Sequence, residues 1–131
     1  MSAYAVTDPA TGETVQTYPT ISDEALNAAV ESAQQIFRTW SRTTSVADRA
    51  ALISRVAELH VERQDALAAI IAREMGKPIG DAVGEINFSA AIYQFYADNA
   101  TTFLADEPIE LMGGEGSAIV RKSPLGVLLG I

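Results

Sequence analysis

The 131-residue sequence predicts an α/β fold. Three long stretches carry apolar residues at helical spacing, and short β-type runs flank them on both sides. Residues 125–131 form one continuous apolar run. Such a run is typical of a strand that is buried on both faces of a sheet, and a sheet of that kind is covered by helices.

The first predicted element is a β-hairpin. Asp8 and Pro9 suit the first two positions of a turn, and Gly12 can supply a positive φ. The flanking strands are expected at Tyr4 to Thr7 and at Glu13 to Tyr18.

The next predicted element is a helix that begins after Ser22, whose hydroxyl can cap it. One face carries the apolar positions Leu26, Val30, Ala33, Phe37 and Trp40. A second helix is expected after Ser45, with Asp48 placed for a capping box. Its apolar stripe holds Leu52, Ile53, Val56, Ala57 and His60, and after a break at residues 62–65 the pattern resumes with Leu67, Ile70, Ile71 and Met75.

Gly76 can adopt the left-handed conformation that ends a helix, and Pro78 prevents the helix from continuing. A third long helix is expected from about Asp81 to about Leu104. Its apolar positions are Val83, Ile86, Ala90, Tyr93 and Ala97, with Phe88, Phe95 and Tyr96 beside them.

Glycines and prolines then flank two short β-type runs, at Ile109 to Met112 and at Ser117 to Ser123. We expect an antiparallel pair joined by the Gly-rich turn at 113–116. The apolar run at 125–131 is expected to form a doubly buried strand. Because such a strand needs neighbours on both sides, the sequence predicts an N-terminal piece of a longer α/β protein.

Composition limits the chemistry that these residues can complete. The chain has no cysteine, and His60 is its one histidine. Disulfides, thiol nucleophiles and a histidine-rich metal site are therefore excluded. A net charge of −8 argues against nucleic acid or an anionic membrane as a partner. With no signal peptide and no long apolar span, a cytoplasmic location is expected.

Several short motifs favour structural roles over functional ones. The 113–116 turn lacks the helix and the lysine of a phosphate loop, and His60 is expected to pack on an apolar face. The Asp106-Glu107 pair is expected to be solvated, and the two charges of Arg121-Lys122 are too few for a nucleic-acid patch. Gly126 and Gly130 flank the last predicted strand, where a cofactor can approach an open α/β sheet.

Six motifs in this order resemble the N-terminal part of the aldehyde dehydrogenase superfamily. They are Val6-x-Asp-Pro-x-Thr-Gly-Glu13, Phe37-x-x-Trp40, Arg49, Glu74-Met-Gly-Lys-Pro78, Gly84-Glu-Ile86, and Arg121-Lys-Ser-Pro-Leu-Gly-Val127 leading to Ile131. The resemblance covers essentially the whole chain and is nearest to the bacterial succinate-semialdehyde dehydrogenases.

The resemblance implies oxidation of an aldehyde to its carboxylic acid with NADP or NAD in the complete enzyme. In such enzymes a cysteine thiolate attacks the carbonyl, hydride leaves to nicotinamide, and a glutamate activates the hydrolytic water. Both catalytic residues lie beyond Ile131 in relatives, so no catalytic residue and no metal ligand is assigned here. This segment alone is expected to be inactive.

The resemblance also assigns peripheral roles. Residues 1–131 match the N-terminal part of a Rossmann-like cofactor-binding domain, and 108–123 match part of an arm that joins subunits into a dimer or tetramer. Ile131 matches a position at the cofactor crevice. Gly84 and Phe88 match the helix that lines the substrate tunnel.

Two other interpretations remain open from the sequence. The chain can be a short, non-catalytic interaction module that pairs with a full-length relative, or a free-standing helical bundle with an irregular tail. The order of the motifs favours the enzyme segment over both.

Overall fold

The computed structural model describes residues 4–130, which form four helices and two small antiparallel sheets. In chain order the elements are β1 (Tyr4–Thr7), β2 (Thr14–Tyr18), α1 (Asp23–Thr43), α2 (Val46–Glu62), α3 (Gln64–Met75), α4 (Ile79–Phe103), β3 (Glu107–Ile109) and β4 (Ala118–Val120). The mixed α/β content confirms the predicted fold class.

The N-terminal hairpin is confirmed, with Tyr4 opposite Tyr18 and Val6 opposite Gln16. Gly12 adopts a φ of 75°, as the turn requires. The Asp8 carboxylate accepts a hydrogen bond from the Ala10 amide at 2.8 Å, which fixes the turn locally.

The predicted helix starts are also confirmed. The Ser22 hydroxyl accepts from the Ala25 amide at 3.2 Å, and Ser45 and Asp48 form a reciprocal capping box. A break at Arg63 separates α2 from α3, and Gly76 ends α3 with a φ of 69°. α4 begins two residues before the predicted Asp81, because the Pro78 carbonyl accepts the first helical hydrogen bond, from Ala82.

The core lies between α2, α3 and α4. Its buried residues are small, apart from one isoleucine: Ala57, Ala68, Ala82, Ile86 and Ala90. Alanine side chains let the helix axes approach closely, which explains how α4 can pack against both α2 and α3.

The predicted apolar face of α1 is not buried within the described residues. No residue of α1 is buried, and Val30 and Trp40 remain 49% and 43% exposed. In the C-terminal half of α1, the Phe37 ring lies close to Gly126. Sequence periodicity predicts an apolar face here, and within the described residues that face stays uncovered.

The arm region forms the predicted antiparallel pair with shifted bounds. β3 begins at Glu107, two residues before the predicted Ile109, and residues 110–112 belong to the connection. Pro108 lies opposite Ile119 in a two-stranded sheet, where an outer edge tolerates a residue without an N–H group.

The predicted strand at 125–131 is not formed within the described residues. Leu125 and Leu129 are 89% and 84% exposed, and Gly126 has a φ of 105°, outside the strand region. The physical reason is that no strand among residues 4–130 pairs with this segment, so its backbone has no ladder. Ile131 lies outside the described residues.

Candidate functional site

The outward face of α4 carries both residues that the sequence assigned to a substrate passage. Gly84 is exposed, and no atom lies within 4 Å of the position that its Cβ would occupy. Phe88 follows one helical turn later and is 68% exposed. The structure therefore places the two on one accessible face, and neither contributes to the buried core of the described residues.

Phe88 also forms one end of a shallow cavity of 390 Å³. The rest of its lining comes from the following two turns of the same helix: Ala91, Ile92, Phe95 and Tyr96. Apart from the Tyr96 hydroxyl, the side chains of this lining are apolar, so this surface is suited to contact an apolar group. The sequence singled out Phe88, but nothing in the spacing of residues indicated this cavity.

Polar contacts fix the register of α4 against α2. The Ser54 hydroxyl donates to Gln94 Oε1 at 3.0 Å, and the Gln94 amide donates to Asp98 at 2.7 Å. At the other end of α4, Lys77 forms an ion pair with Glu85 around the Pro78 junction. These contacts orient the outward face that carries Gly84 and Phe88.

The base of the arm is held by two ion pairs that the sequence prediction missed. Arg121 donates to both oxygens of Asp106 at distances of 2.6–3.1 Å, and Lys122 pairs with Glu107. Through these hydrogen bonds Arg121 lowers the pKa of Asp106 below its ordinary value of 3.8. The sequence predicted solvated carboxylates at 106 and 107 but did not pair them with the two basic residues. The antiparallel register, with Glu107 opposite Val120, is what brings them together.

His60 plays the packing role that its position predicted. Its ring lies 5.0 Å from the Tyr93 ring, and Nδ1 is 2.8 Å from the Val56 carbonyl oxygen. In the described part of the chain, no group of three or more histidine, cysteine or acidic residues could hold a metal ion. The Gly-rich stretch at 113–116 connects β3 to β4, as expected of a hairpin turn.

Two further cavities lie near the joint between α1 and α2. One of 380 Å³ lies between α2 and α4, and one of 430 Å³ lies between α1, α2 and residues 122–126. Arg49 lines both. The sequence singled out Arg49 within a motif, but nothing in the spacing of residues indicated the two cavities. Small residues such as Ala50, Ala97 and Ala100 leave the 380 Å³ cavity open.

No helix among residues 4–130 combines the length and the apolar character needed to cross a membrane.

The family model described as "Aldehyde dehydrogenase family" matches residues 1–131. The chain is 42% identical over 128 residues to the succinate-semialdehyde dehydrogenase [NADP(+)] of Deinococcus radiodurans, with 98% of this chain and 26% of that protein covered. It is 41% identical over 128 residues to the corresponding enzyme 1 of Mycobacterium ulcerans, with 97% and 28% covered.

A solved structure gives the same result at the level of the fold. The succinic semialdehyde dehydrogenase of Streptococcus pyogenes, crystallised with NADP+, is similar with a TM-score of 0.80 and 31% identity. The similarity covers 86% of this chain and 25% of that one. The chain thus spans only about a quarter of the length of each of these proteins.

Proposed function

Because the chain belongs to the aldehyde dehydrogenase family, we propose that it forms the N-terminal segment of an enzyme that oxidises succinate semialdehyde to succinate. The overall reaction consumes the aldehyde, water and NADP+ or NAD+, and yields the carboxylate, the reduced cofactor and protons. The observation that carries this proposal is the match over the whole chain to enzymes named for that substrate.

Residues 4–130 supply surfaces to this reaction and no reacting group. The chain has no cysteine to act as the nucleophile. We assign the outward face of α4 to the wall of the substrate passage, with Gly84 leaving room and Phe88 presenting an apolar surface. Phe88 is suited to contact the methylene groups of the substrate, while its carboxylate must be bound by residues elsewhere.

The cofactor cannot be assigned to the described residues. A dinucleotide binds at the carboxyl ends of parallel strands, beside a helix N-terminus. Among residues 4–130 the only paired strands are antiparallel, and 125–130 does not form a strand. Ile131 stays a proposed position at the cofactor crevice. NADP is favoured over NAD by the names of the relatives.

We assign residues 108–123 to an arm between subunits, and the whole of 1–131 to the cofactor-binding domain. The arm proposal is supported by a two-stranded hairpin whose apolar side chains are exposed: Ile109 by 48% and Ile119 by 47%. The complete enzyme is then a cytoplasmic homo-oligomer. Sedimentation of the complete enzyme with the arm substitution Ile119→Glu tests the oligomer, since the substitution should give particles of lower mass than the parent enzyme.

The function is tested by grafting. Residues 1–131 replace the matching segment of the Deinococcus radiodurans enzyme, and NADPH formation is followed with succinate semialdehyde. We expect activity from the chimera and none from the 131-residue chain alone. A folded chimera that binds NADP+ but does not oxidise the aldehyde would contradict the proposal, as would turnover by the isolated chain.

Phe88 is tested in the same chimera. Phe88→Ala should raise KM for succinate semialdehyde while leaving KM for NADP+ unchanged. The matched control is Ile79→Ala, which removes an exposed apolar side chain from the first turn of the same helix, outside the cavity that Phe88 lines. Equal effects from the two substitutions would remove Phe88 from the passage.

A further inference from the structure

The two cavities at the joint of α1 and α2 share one wall. Val46, Arg49 and Leu104 line both the 380 Å³ cavity and the 430 Å³ cavity. We call the two together the Arg49 trough. Each volume lies in the range of small-molecule sites, about 300–1,000 Å³, and the remaining walls are mainly apolar, including Phe37, Trp40, Ile53 and Phe103.

The charge of the trough is unusual for this chain. Acidic residues outnumber basic ones by 17 to 9 in the sequence, yet no acidic residue lines either cavity. Two basic residues do, Arg49 and Lys122. Lys122 is already neutralised, since its Nζ donates to Glu107 and to the Phe103 carbonyl.

Arg49 has no carboxylate partner within the described residues. Its Nη1 donates to the Thr44 carbonyl at 3.2 Å, and its Cζ lies 6.0 Å from the centroid of the Trp40 ring. The side chain is half-buried and forms no ion pair with any residue of 4–130. A guanidinium carries five N–H donors in a planar fork. Placing this cation in an apolar wall costs free energy that a carboxylate would offset, with two parallel hydrogen bonds.

We propose that the Arg49 trough binds a medium-chain aliphatic carboxylate. The carboxylate accepts hydrogen bonds from the Arg49 guanidinium. The alkyl chain lies in the 380 Å³ cavity, against Ile53 and Ala100. This site adjoins the cavity that Phe88 lines, since Tyr96 borders both, but it contains neither Gly84 nor Phe88 and does not depend on the function proposed above.

Trp40 provides the measurement, because it is the one tryptophan of the chain and lines the trough. The 131-residue chain is titrated with decanoate, below its micelle concentration, while Trp40 fluorescence is followed. Decanol is the matched neutral probe. We expect saturable binding of decanoate with a Kd at least about tenfold lower than that of decanol, as a hydrogen-bonded charge pair predicts.

Substitutions then locate the site. Arg49→Gln should weaken decanoate binding about tenfold and leave decanol unchanged, and Arg49→Lys should have a smaller effect because it keeps the charge. Arg63→Gln, at the exposed break between α2 and α3, is the matched control and should change neither. Equal affinity for decanoate and decanol, or decanoate binding that survives Arg49→Gln, would overturn the proposal.

A second variant covers the case in which Arg49→Gln loses its helical circular dichroism. Ala100→Leu adds bulk to the cavity wall while Arg49 stays in place. We expect it to weaken decanoate binding. Unchanged affinity for decanoate in Ala100→Leu would show that the probe binds elsewhere.

Discussion

The guanidinium of Arg49 lies over the indole ring of Trp40, with 6.0 Å between Cζ and the ring centroid. Because the same guanidinium donates to the Thr44 carbonyl, it joins the last turn of α1 to the first turn of α2. The Trp40 carbonyl also accepts from the Thr44 amide at 3.0 Å. Few other contacts hold α1 in place, so this joint controls its orientation.

Removing the side chain of Arg49 should therefore loosen the joint. We expect Arg49→Ala to lower the free energy of unfolding by about 1–2 kcal/mol, from the lost cation–π contact and the lost hydrogen bond. Urea denaturation followed by circular dichroism measures it. Arg63→Ala is the control, expected within about 0.5 kcal/mol of the parent. Equal loss in both variants would mean that the Trp40 contact contributes nothing.

Gly76 is the position where a side chain is least tolerated. Its φ is 69°, and a Cβ there would lie 3.0 Å from Cγ of Pro9, in the turn of the N-terminal hairpin. We expect Gly76→Ala to destabilise the chain by about 1–2 kcal/mol from the backbone alone, with the crowding against Pro9 in addition. Thermal denaturation gives the value.

Gly80 is the matched control for that substitution. It lies in the first turn of α4, and its Cβ position has no atom within 4 Å. Gly80→Ala should leave stability unchanged or raise it by up to about 1 kcal/mol, because alanine favours a helix. If Gly76→Ala is as stable as Gly80→Ala, the hairpin does not pack against the end of α3 as described.

The Asp106–Arg121 pair predicts a pH dependence for the arm. Arg121 lowers the pKa of Asp106 in the folded state, so the pair stabilises the fold above the ordinary value of 3.8. That contribution is lost as the pH falls from there through the lowered pKa. Carboxyl carbon shifts in an NMR titration should show Asp106 titrating below its ordinary value, and returning to it in Arg121→Gln. An unshifted pKa in the parent chain would contradict the pairing.

Local signals account for the parts of the fold that could be predicted. The capping box depends on Ser45 and Asp48, three residues apart, and the end of α3 depends on Gly76. Neither needs information from distant parts of the chain, so both were predicted correctly. The assignment of Gly84 and Phe88 to a substrate passage came instead from the family resemblance, and it stays a prediction.

Contacts between distant residues could not be predicted. The Asp106–Arg121 pair depends on the register of β3 against β4, which the sequence did not predict. The Arg49 trough depends on the relative positions of three elements. The run at 125–130 has the composition of a buried strand, but composition cannot provide the neighbouring strands that its backbone needs.

Gly84 gives the sharpest separation between a structural and a functional role. Its Cβ position is open, so Gly84→Leu should fit and should raise the stability of the isolated chain by about 1 kcal/mol, since glycine is unfavourable inside a helix. In the grafted enzyme the added side chain would point into the proposed passage. We expect KM for succinate semialdehyde to rise about tenfold, with KM for NADP+ unchanged. Gly80→Leu, one turn earlier on the same face, should raise KM for succinate semialdehyde less than Gly84→Leu does, because it lies further from Phe88. If Gly84 has only a structural role, the substitution changes stability and leaves KM unaltered. Unaltered kinetics in a stabilised Gly84→Leu would therefore show that this face of α4 does not border the passage.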